Sequence, residues 1–339
     1  MLRKLLLGSL VAPAMLALSG CNMVVLDPSG YIAAQQRDII VISTILMLLI
    51  IVPVILLTIF FAWKYRQSRN AEYRPEWSHS TRLEVVIWSA PLAIIIALGS
   101  ITWVSTHTLD PYRPLERISA GQAVTPQNKP LTVEVVSMNW KWLFFYPEEG
   151  IATVNELAAP VDRPIYFKIT SSDLMNSFYI PALAGQIYSM AGMETKLHAV
   201  INKPGVYDGF SANYSGAGFS GMNFKFHGLS EADFKAWVDK VKAGGDELSV
   251  PTYEALAKPS SNDPVHYYKS VVPDLYHDIL NRCVGHAEPC MDKVMAMDHG
   301  HKAEGGGGAD EMADMPGMAH HDAPAAKGAG SNAAAATGN

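Results

Sequence analysis

The chain is short of cysteine and of charge. Three cysteines, at positions 21, 283 and 290, are spread over 339 residues. They are too few for a disulfide-framed protein, and the gap from residue 22 to residue 282 excludes a thiolate metal site in that stretch. Charged residues make up 17% of the chain, against about 25% in an average soluble protein. The formal net charge of −6 argues against a general nucleic-acid binder, which would be basic.

The missing charge is concentrated before residue 110, in the apolar runs Ile39–Ala62 and Val85–Val104. At about 1.5 Å per residue, each run reaches across a hydrocarbon core of roughly 30 Å. The sequence therefore predicts spanning helices over residues 39–62 and 85–107, joined by a loop over residues 63–84. Basic residues near both ends of that loop indicate that it faces the cytoplasm: Lys64, Arg66, Arg69, Arg74 and Arg82.

The N-terminus has the features of an exported protein. Arg3 and Lys4 precede an apolar run that ends in Leu18-Ser19-Gly20-Cys21. A basic start with a short apolar stretch is typical of a secretory signal peptide, which we assign to residues 1–20. The closing residues resemble a bacterial lipobox, whose cysteine carries a diacylglyceryl thioether; the alternative is a cysteine that merely ends an apolar run. With Cys21 as the lipid attachment, residues 21–38 form a periplasmic segment, in agreement with the loop charge.

After Pro111 and Pro114 the chain becomes β-rich, with short strands separated by Gly, Pro, Asn and Asp. This pattern predicts an all-β sandwich or barrel over residues 115–228. The candidate strands are Leu131–Met138, Trp140–Tyr146, Ile165–Thr170, Ser177–Ile180, Ile187–Met190, Thr195–Ile201, Val206–Phe210 and Asn223–His227.

The C-terminal part divides into an extension and a tail. Leu229 and Ser230 precede a helix with a capping signal, and a second helix is predicted over residues 273–283, so residues 229–285 form a helical extension. Residues 286–339 are rich in Gly, Ala, Met and His and are predicted to be disordered. Cys283 and Cys290 are consistent with a disulfide in an oxidising compartment, with two free thiols, or with metal ligation together with His286.

Three local motifs carry a family resemblance. They are Arg82–Pro91 at the start of the second apolar run, the aromatic stretch Asn139–Phe144, and Asp173–Pro181. Together with two spans and an exported β-sandwich, they resemble subunit II of the haem-copper respiratory oxidases over residues 39–228. The resemblance implies a two-helix transmembrane hairpin followed by a cupredoxin-like sandwich and an aromatic-rich C-terminal extension.

In the cytochrome c oxidases of this superfamily, the sandwich carries a binuclear copper centre with two bridging cysteines, two histidines, a methionine and a glutamate carbonyl. The matching positions in this chain depart from that ligand set: Asn176, Tyr214, Gly218, Met222 and Lys225. Since soft thiolates hold such a copper unit together, we expect a sandwich without metal. His198 and His227 are spare ligands that we expect to be packed or exposed.

A quinol oxidase receives electrons from a lipid-soluble donor, so an exported copper relay is unnecessary. The chain therefore resembles subunit II of the cytochrome bo-type ubiquinol oxidases, a branch to which the run Ser215–Met222 is similar. This implies a complex of the bacterial inner membrane in which subunit I holds the haems and copper. Subunits III and IV, ubiquinol and membrane lipid are the further partners implied, and this chain would carry no cofactor. Its role would be assembly and shape, with no catalytic residue of its own.

Glu84, at the cytoplasmic end of the second span, has a candidate role. The resemblance places it at the cytoplasmic mouth of a K-type proton path, and ionisable groups at membrane depth are usually functional. The alternative is a carboxylate favoured by the dipole at a helix N-terminus. Trp140 and Trp142 match residues that accept electrons in the copper-containing relatives, but without a copper acceptor we expect packing or a subunit contact.

A different class of function also remains open. Methionine and histidine suit copper, so a lipoprotein that binds or delivers copper through its tail is the alternative to an oxidase subunit. A cytochrome c oxidase subunit II would need the missing thiolates and is close to excluded.

Overall fold

The structure is a computed structural model that describes residues 23–68, 76, 78–286 and 289–304. Cys21, the predicted lipid attachment, lies outside these residues, as does the tail from residue 305. Two long helices open the described part: α1, Tyr31–Lys64, and α2, Thr81–Thr108. Both pass the length and hydropathy criteria for membrane spans, with mean hydropathies of 3.2 and 2.2 over their most apolar windows. Each extends beyond its predicted apolar run at both ends.

The outer end of α1 is joined to the β-domain by backbone hydrogen bonds. The Gly30 N–H donates to the Ala182 carbonyl at 2.8 Å, and the Tyr31 N–H donates to the Val200 carbonyl at 3.3 Å. A Cβ atom at Gly30 would lie 2.5 Å from the Leu183 carbonyl oxygen. Only glycine permits this approach, so the first helix begins inside the fold of the exported domain.

Two sheets form the sandwich, beside a small ribbon of β1, Arg117–Ser119, and β2, Gln122–Ala123. In spatial order, the first sheet contains β10 (Thr195–Ala199), β7 (Ile165–Ser171), β3 (Leu131–Ser137), β4 (Trp142–Tyr146), β5 (Ile151–Val154), β14 (His266–Val271) and β13 (Asp246–Leu248). The second contains β6 (Glu156–Pro160), β12 (Asn223–Leu229), β11 (Gly205–Ser211), β8 (Asn176–Tyr179) and β9 (Ile187–Ser189). Pairing is antiparallel except for β3–β7, β6–β12 and β13–β14.

Strand β4 is buried on both of its faces. Trp142 and Phe144 point into the core between the sheets, where Phe178 and Phe224 stack with ring centroids 5.5 Å apart. Because side chains alternate along a strand, Leu143 and Phe145 face the other way, into a second core formed with the extension. The extension therefore covers a sheet face that would otherwise expose apolar side chains.

The extension is only partly helical, which corrects the prediction for residues 229–285. It contains helices α3 (Glu231–Gly244), α4 (Val250–Ala257) and α5 (Leu275–Leu280), and it supplies strands β13 and β14 to the first sheet. The predicted start of α3 is confirmed, since the Ser230 side chain caps it by accepting from the Asp233 N–H at 3.1 Å. Strand β14 was missed because its sequence sits between two helical patterns.

A further helix, α6, Met291–Glu304, corrects the prediction of disorder from residue 286. Most of this helix belongs to a second unit of the chain, of which the structure describes residues 292–304. Met295 and Met297 are exposed on this helix.

Candidate functional site

The positions that match copper ligands lie where β8, β11 and the start of β12 meet. Asn176, at the start of β8, is buried, and its Oδ1 atom accepts a hydrogen bond from the Ser211 hydroxyl at 3.1 Å. Its Nδ2 atom donates to the Leu174 carbonyl at 3.1 Å. Both polar ends of the amide are therefore engaged within the protein, and the side chain acts as a link between two strands.

The loop between β11 and β12 packs against the indole of Trp140. The Trp140 Nε1 donates to the Ser215 carbonyl at 2.9 Å. A Cβ atom at Gly218 would lie 2.3 Å from the Trp140 ring, so no larger side chain fits at position 218 while the indole is in place. Trp140 itself has φ of 64°, an unusual left-handed conformation for a bulky residue. The site of a bridging cysteine is thus filled by an aromatic ring.

The three remaining positions that match copper ligands have different surroundings. Tyr214 is 76% exposed and packs edge-on against Phe219 at 5.5 Å between ring centroids. Met222 is buried in the core between the sheets. Lys225 forms an exposed ion pair with Asp208 on the neighbouring strand. An amide, a phenol, a glycine and an ammonium group supply no thiolate, and the thioether of Met222 is a single soft ligand buried in the core. The residues present therefore do not fit a thiolate-bridged dicopper centre.

The spare histidines have separate neighbours. His198 stacks on Tyr166, with an interplanar angle of 8° and ring centroids 4.6 Å apart. Burial, followed by the nearby Lys196, lowers the pKa of His198. The His227 Nε2 lies 3.6 Å from a Glu156 carboxylate oxygen. Each imidazole is accounted for by packing or by an acidic neighbour.

One group of potential metal ligands comes together among the described residues, and it lies in the extension. It consists of Asp278, Cys283 and Cys290, all buried. The two cysteines form a disulfide with Cα atoms 4.9 Å apart, which selects one of the three states that the sequence left open. Since thiolates and not disulfides are the usual metal ligands, this group is a cross-link in the described form.

The extension is held to the sandwich by two buried polar clusters. The Lys141 ammonium, with 2% of its side chain exposed, lies 2.8 Å from an Asp263 carboxylate oxygen and donates to the Leu256 carbonyl at 2.8 Å. In the second cluster, Glu156 accepts from the Trp237 Nε1 and the Tyr267 hydroxyl, both at 2.8 Å. Sequence reasoning missed both clusters, because their partners are far apart along the chain.

Glu84 lies in the first turn of α2, at the end that faces the predicted cytoplasmic loop. Its carboxylate is 50% exposed and is 3.5 Å from the Nε2 of His79. The position is accessible to water, as a proton entrance requires, and it is also where a helix dipole favours an acidic residue.

The family comparisons agree with this architecture. The sequence model of the cytochrome c oxidase subunit II periplasmic domain matches residues 146–228, and that of the COX aromatic-rich motif matches residues 242–287. A solved periplasmic domain of cytochrome oxidase subunit II from Bradyrhizobium japonicum is 22% identical, with a TM-score of 0.32; the match covers 33% of this chain and 94% of that one. The two family models, with the two apolar helices, fit a membrane-anchored oxidase subunit II with a periplasmic-type cupredoxin domain.

Full-length relatives place the chain within that class. The cytochrome bo(3) ubiquinol oxidase subunit 2 of Pseudomonas aeruginosa is 50% identical, over 82% of this chain and 81% of the relative. That of Pseudomonas putida is 48% identical, over 95% and 96% respectively. The chain belongs to the family of quinol oxidase subunit II, and the predicted family and fold class are confirmed.

Proposed function

We propose that this chain is subunit II of a proton-pumping ubiquinol oxidase in the aerobic respiratory chain of a bacterial inner membrane. In this assignment, subunit I holds the haems and copper, oxidises quinol and reduces O₂ to water, and subunits III and IV complete the complex. The names of the relatives support the assignment. The observation that carries the role of this chain is the Trp140 indole against Gly218, where a copper-binding cysteine would need space.

The chain then contributes structure and assembly, without a redox centre of its own. Quinol is dissolved in the bilayer, so its electrons enter the complex at membrane depth and need no relay through the exported sandwich. The buried clusters around Lys141 and Glu156 support a scaffold role, because they rigidify the domain and its extension as one body.

Mild solubilisation and purification through this chain test the assignment. We expect a haem-bearing partner to copurify and quinol, but not reduced cytochrome c, to support O₂ consumption. We expect no copper in this chain separated from the partner. Oxidation of cytochrome c, or a mixed-valence dicopper signal from the isolated chain, would contradict the proposal. A solitary chain that binds stoichiometric copper would instead support the copper-lipoprotein alternative.

The second part of the proposal concerns Glu84 as the entrance of a proton path. Its support is the exposed carboxylate at the cytoplasmic end of an apolar helix, beside His79. A carboxylate there can exchange protons with bulk water and pass them toward the membrane interior, where ionisable groups serve proton transfer.

Replacement of the Glu84 carboxylate separates proton transfer from helix capping. We expect Glu84→Ala and Glu84→Gln to lower the oxidase turnover and alter its pH dependence with normal assembly, whereas Glu84→Asp retains most activity. Glu76→Ala is the matched control, since it removes a carboxylate from the same loop outside α2. Steady-state O₂ consumption between pH 6 and pH 9 is the measurement. Unchanged turnover in Glu84→Ala would leave the carboxylate with only its helix-dipole role.

The third part concerns the anchor. We propose that Cys21 carries a diacylglyceryl lipid after removal of residues 1–20, which tethers the mature N-terminus to the outer leaflet of the inner membrane. The lipobox-like sequence supports this. Mass spectrometry of the N-terminal peptide checks it: the expected mass includes the thioether lipid, and an unmodified cysteine would refute the anchor.

A further inference from the structure

A groove opens between the outer end of α1 and the edge of the sandwich. Its volume is about 440 Å³, within the range of small-molecule sites, about 300–1,000 Å³. The α1 side presents Ile39 and Ile40, and the sandwich side presents Tyr179 and Pro181. Val25 closes the groove from the N-terminal segment. The lining is mainly apolar, although one of its walls belongs to an exported domain.

The groove lies beside the outer end of the predicted span in α1. Ile39 is the first residue of the apolar run in α1, so the groove extends from the beginning of the spanning segment toward the sandwich. Val25 and Ile40 remain 39% and 45% exposed. Apolar side chains at this height are favourable only if hydrocarbon covers them, because water contact with apolar surface is costly.

A hydrocarbon source belonging to the chain itself is close by. Val25 lies four residues after Cys21, and four residues span at most about 14 Å. The described chain begins at Met23, and a turn in which the Leu26 N–H donates to the Met23 carbonyl at 2.8 Å leads directly into the groove. The lipid of Cys21 therefore starts within reach of the apolar lining.

We propose that an acyl chain of the lipid on Cys21 lies in the groove formed by Val25, Ile39, Ile40, Tyr179 and Pro181. The lipid then fastens the N-terminal segment to α1 and the sandwich, in addition to entering the bilayer. This inference rests on the lipidation of Cys21 proposed above. An ion pair between Lys203 and Asp27, 3.3 Å apart, also holds this segment. Both side chains are exposed, and such pairs contribute little to stability. The acyl chain adds apolar contact at Val25, which is 39% exposed without it.

Photocrosslinking in the intact oxidase complex tests the proposal. Cells are grown with a fatty acid that carries a diazirine, the complex is purified and irradiated, and the digested chain is analysed by mass spectrometry. We expect peptides that contain Ile39 and Ile40, or Tyr179 and Pro181, to be joined covalently to the lipidated peptide that contains Cys21. Ile40→Trp should abolish this crosslink by filling the groove. Ile42→Trp, an equally large change on another face of the same helix, should leave it intact.

The outcomes are distinguishable. Groove peptides that carry a free phospholipid acyl chain without the Cys21 peptide would overturn the inference in favour of bulk lipid. Crosslinks of the Cys21 peptide confined to the membrane-facing part of α1, or an undiminished crosslink in Ile40→Trp, would also overturn it. If the N-terminal peptide carries no lipid, the proposed anchor itself fails, and the same mass spectrum shows this independently of the crosslinks.

Discussion

Two lysines of the sandwich, each paired with an aspartate, show how differently the two sides of this domain are built. Lys141 and Asp263 are 2% and 19% exposed at their side chains and join β4 to the extension. Lys225 and Asp208 are 59% and 76% exposed and lie on the adjacent strands β12 and β11, near the loop that packs on Trp140. A buried pair must have further hydrogen bonds to offset its desolvation, and the Lys141 ammonium donates to the Leu256 and Lys258 carbonyls.

The comparison teaches where this chain depends on individual residues. The extension side requires particular charged groups, since removal of one partner leaves the other buried. The side around the β11–β12 loop relies on packing of Trp140 and on hydrogen bonds between neutral groups, so its exposed lysine contributes little.

The largest expected effect comes from breaking the buried pair. Asp263→Ala leaves the Lys141 ammonium without its counterion, which should lower the free energy of unfolding by about 3–5 kcal/mol. Urea unfolding of the purified full chain in detergent measures this. The double variant Lys141→Met, Asp263→Ala removes both charges and should recover part of the loss. A single-variant loss equal to that of an exposed pair would refute the comparison.

A change of pH addresses the same pair. Burial alone would raise the pKa of Asp263, but hydrogen bonds from Lys141 and Ser260 outweigh it, and the pKa lies below its usual range. The stability from ionised Asp263 is therefore fully present above the unfolded pKa of about 3.9 and is lost as the pH falls through the lower folded value. The difference in unfolding free energy between wild type and Asp263→Asn should be constant near neutrality and should shrink in acid. A difference that grows in acid would contradict the sign.

A smaller effect is expected from filling the space between Gly218 and the Trp140 ring. In Gly218→Ala the new Cβ atom meets the Trp140 ring, and such overpacking costs about 1–3 kcal/mol. Gly121→Ala is the matched control, because no atom lies within 4 Å of the Cβ position there. In a Trp140→Ala background the cost of Gly218→Ala should largely disappear. An equal cost in both backgrounds would show that the indole is not the obstacle.

The smallest effect is expected from breaking the exposed pair of Lys225 and Asp208. Lys225→Ala removes an exposed ion pair, which contributes about 0.2–1 kcal/mol and is screened by salt. We expect its unfolding free energy to approach that of wild type in 1 M salt, with quinol oxidation unchanged. A loss of unfolding free energy as large as that of Asp263→Ala would show that the exposed pair stabilises the domain as much as the buried pair does.

The predicted strands were those with an alternating pattern or aromatic enrichment, and all eight are present within a residue or so at most ends. Strand β5, Ile151–Val154, was missed because all four of its residues are buried, so the period of two disappears. Strand β14 was missed because it pairs with β5 and lies far away in sequence. Pairing partners at that distance leave no local signal.

The candidate site was predictable where residue type alone decides. Absence of cysteine is visible in the sequence, whereas the reason that position 218 must be small depends on Trp140 in three dimensions. Lys141 gave no signal either, because a single lysine within an aromatic stretch resembles a solvent-exposed residue until Asp263 is seen beside it.

The docking of Gly30 on the β-domain has a consequence for the biogenesis of the protein. The carbonyl groups of Ala182, Leu183 and Val200 that receive the start of the first membrane helix are synthesised long after that helix. The helix can therefore enter the bilayer early, but its outer end cannot be locked until most of the exported domain has crossed the membrane and folded. Insertion and final docking are therefore separate events in time. If synthesis stopped between them, the first helix would be inserted, but its outer end would have no contact with the exported domain.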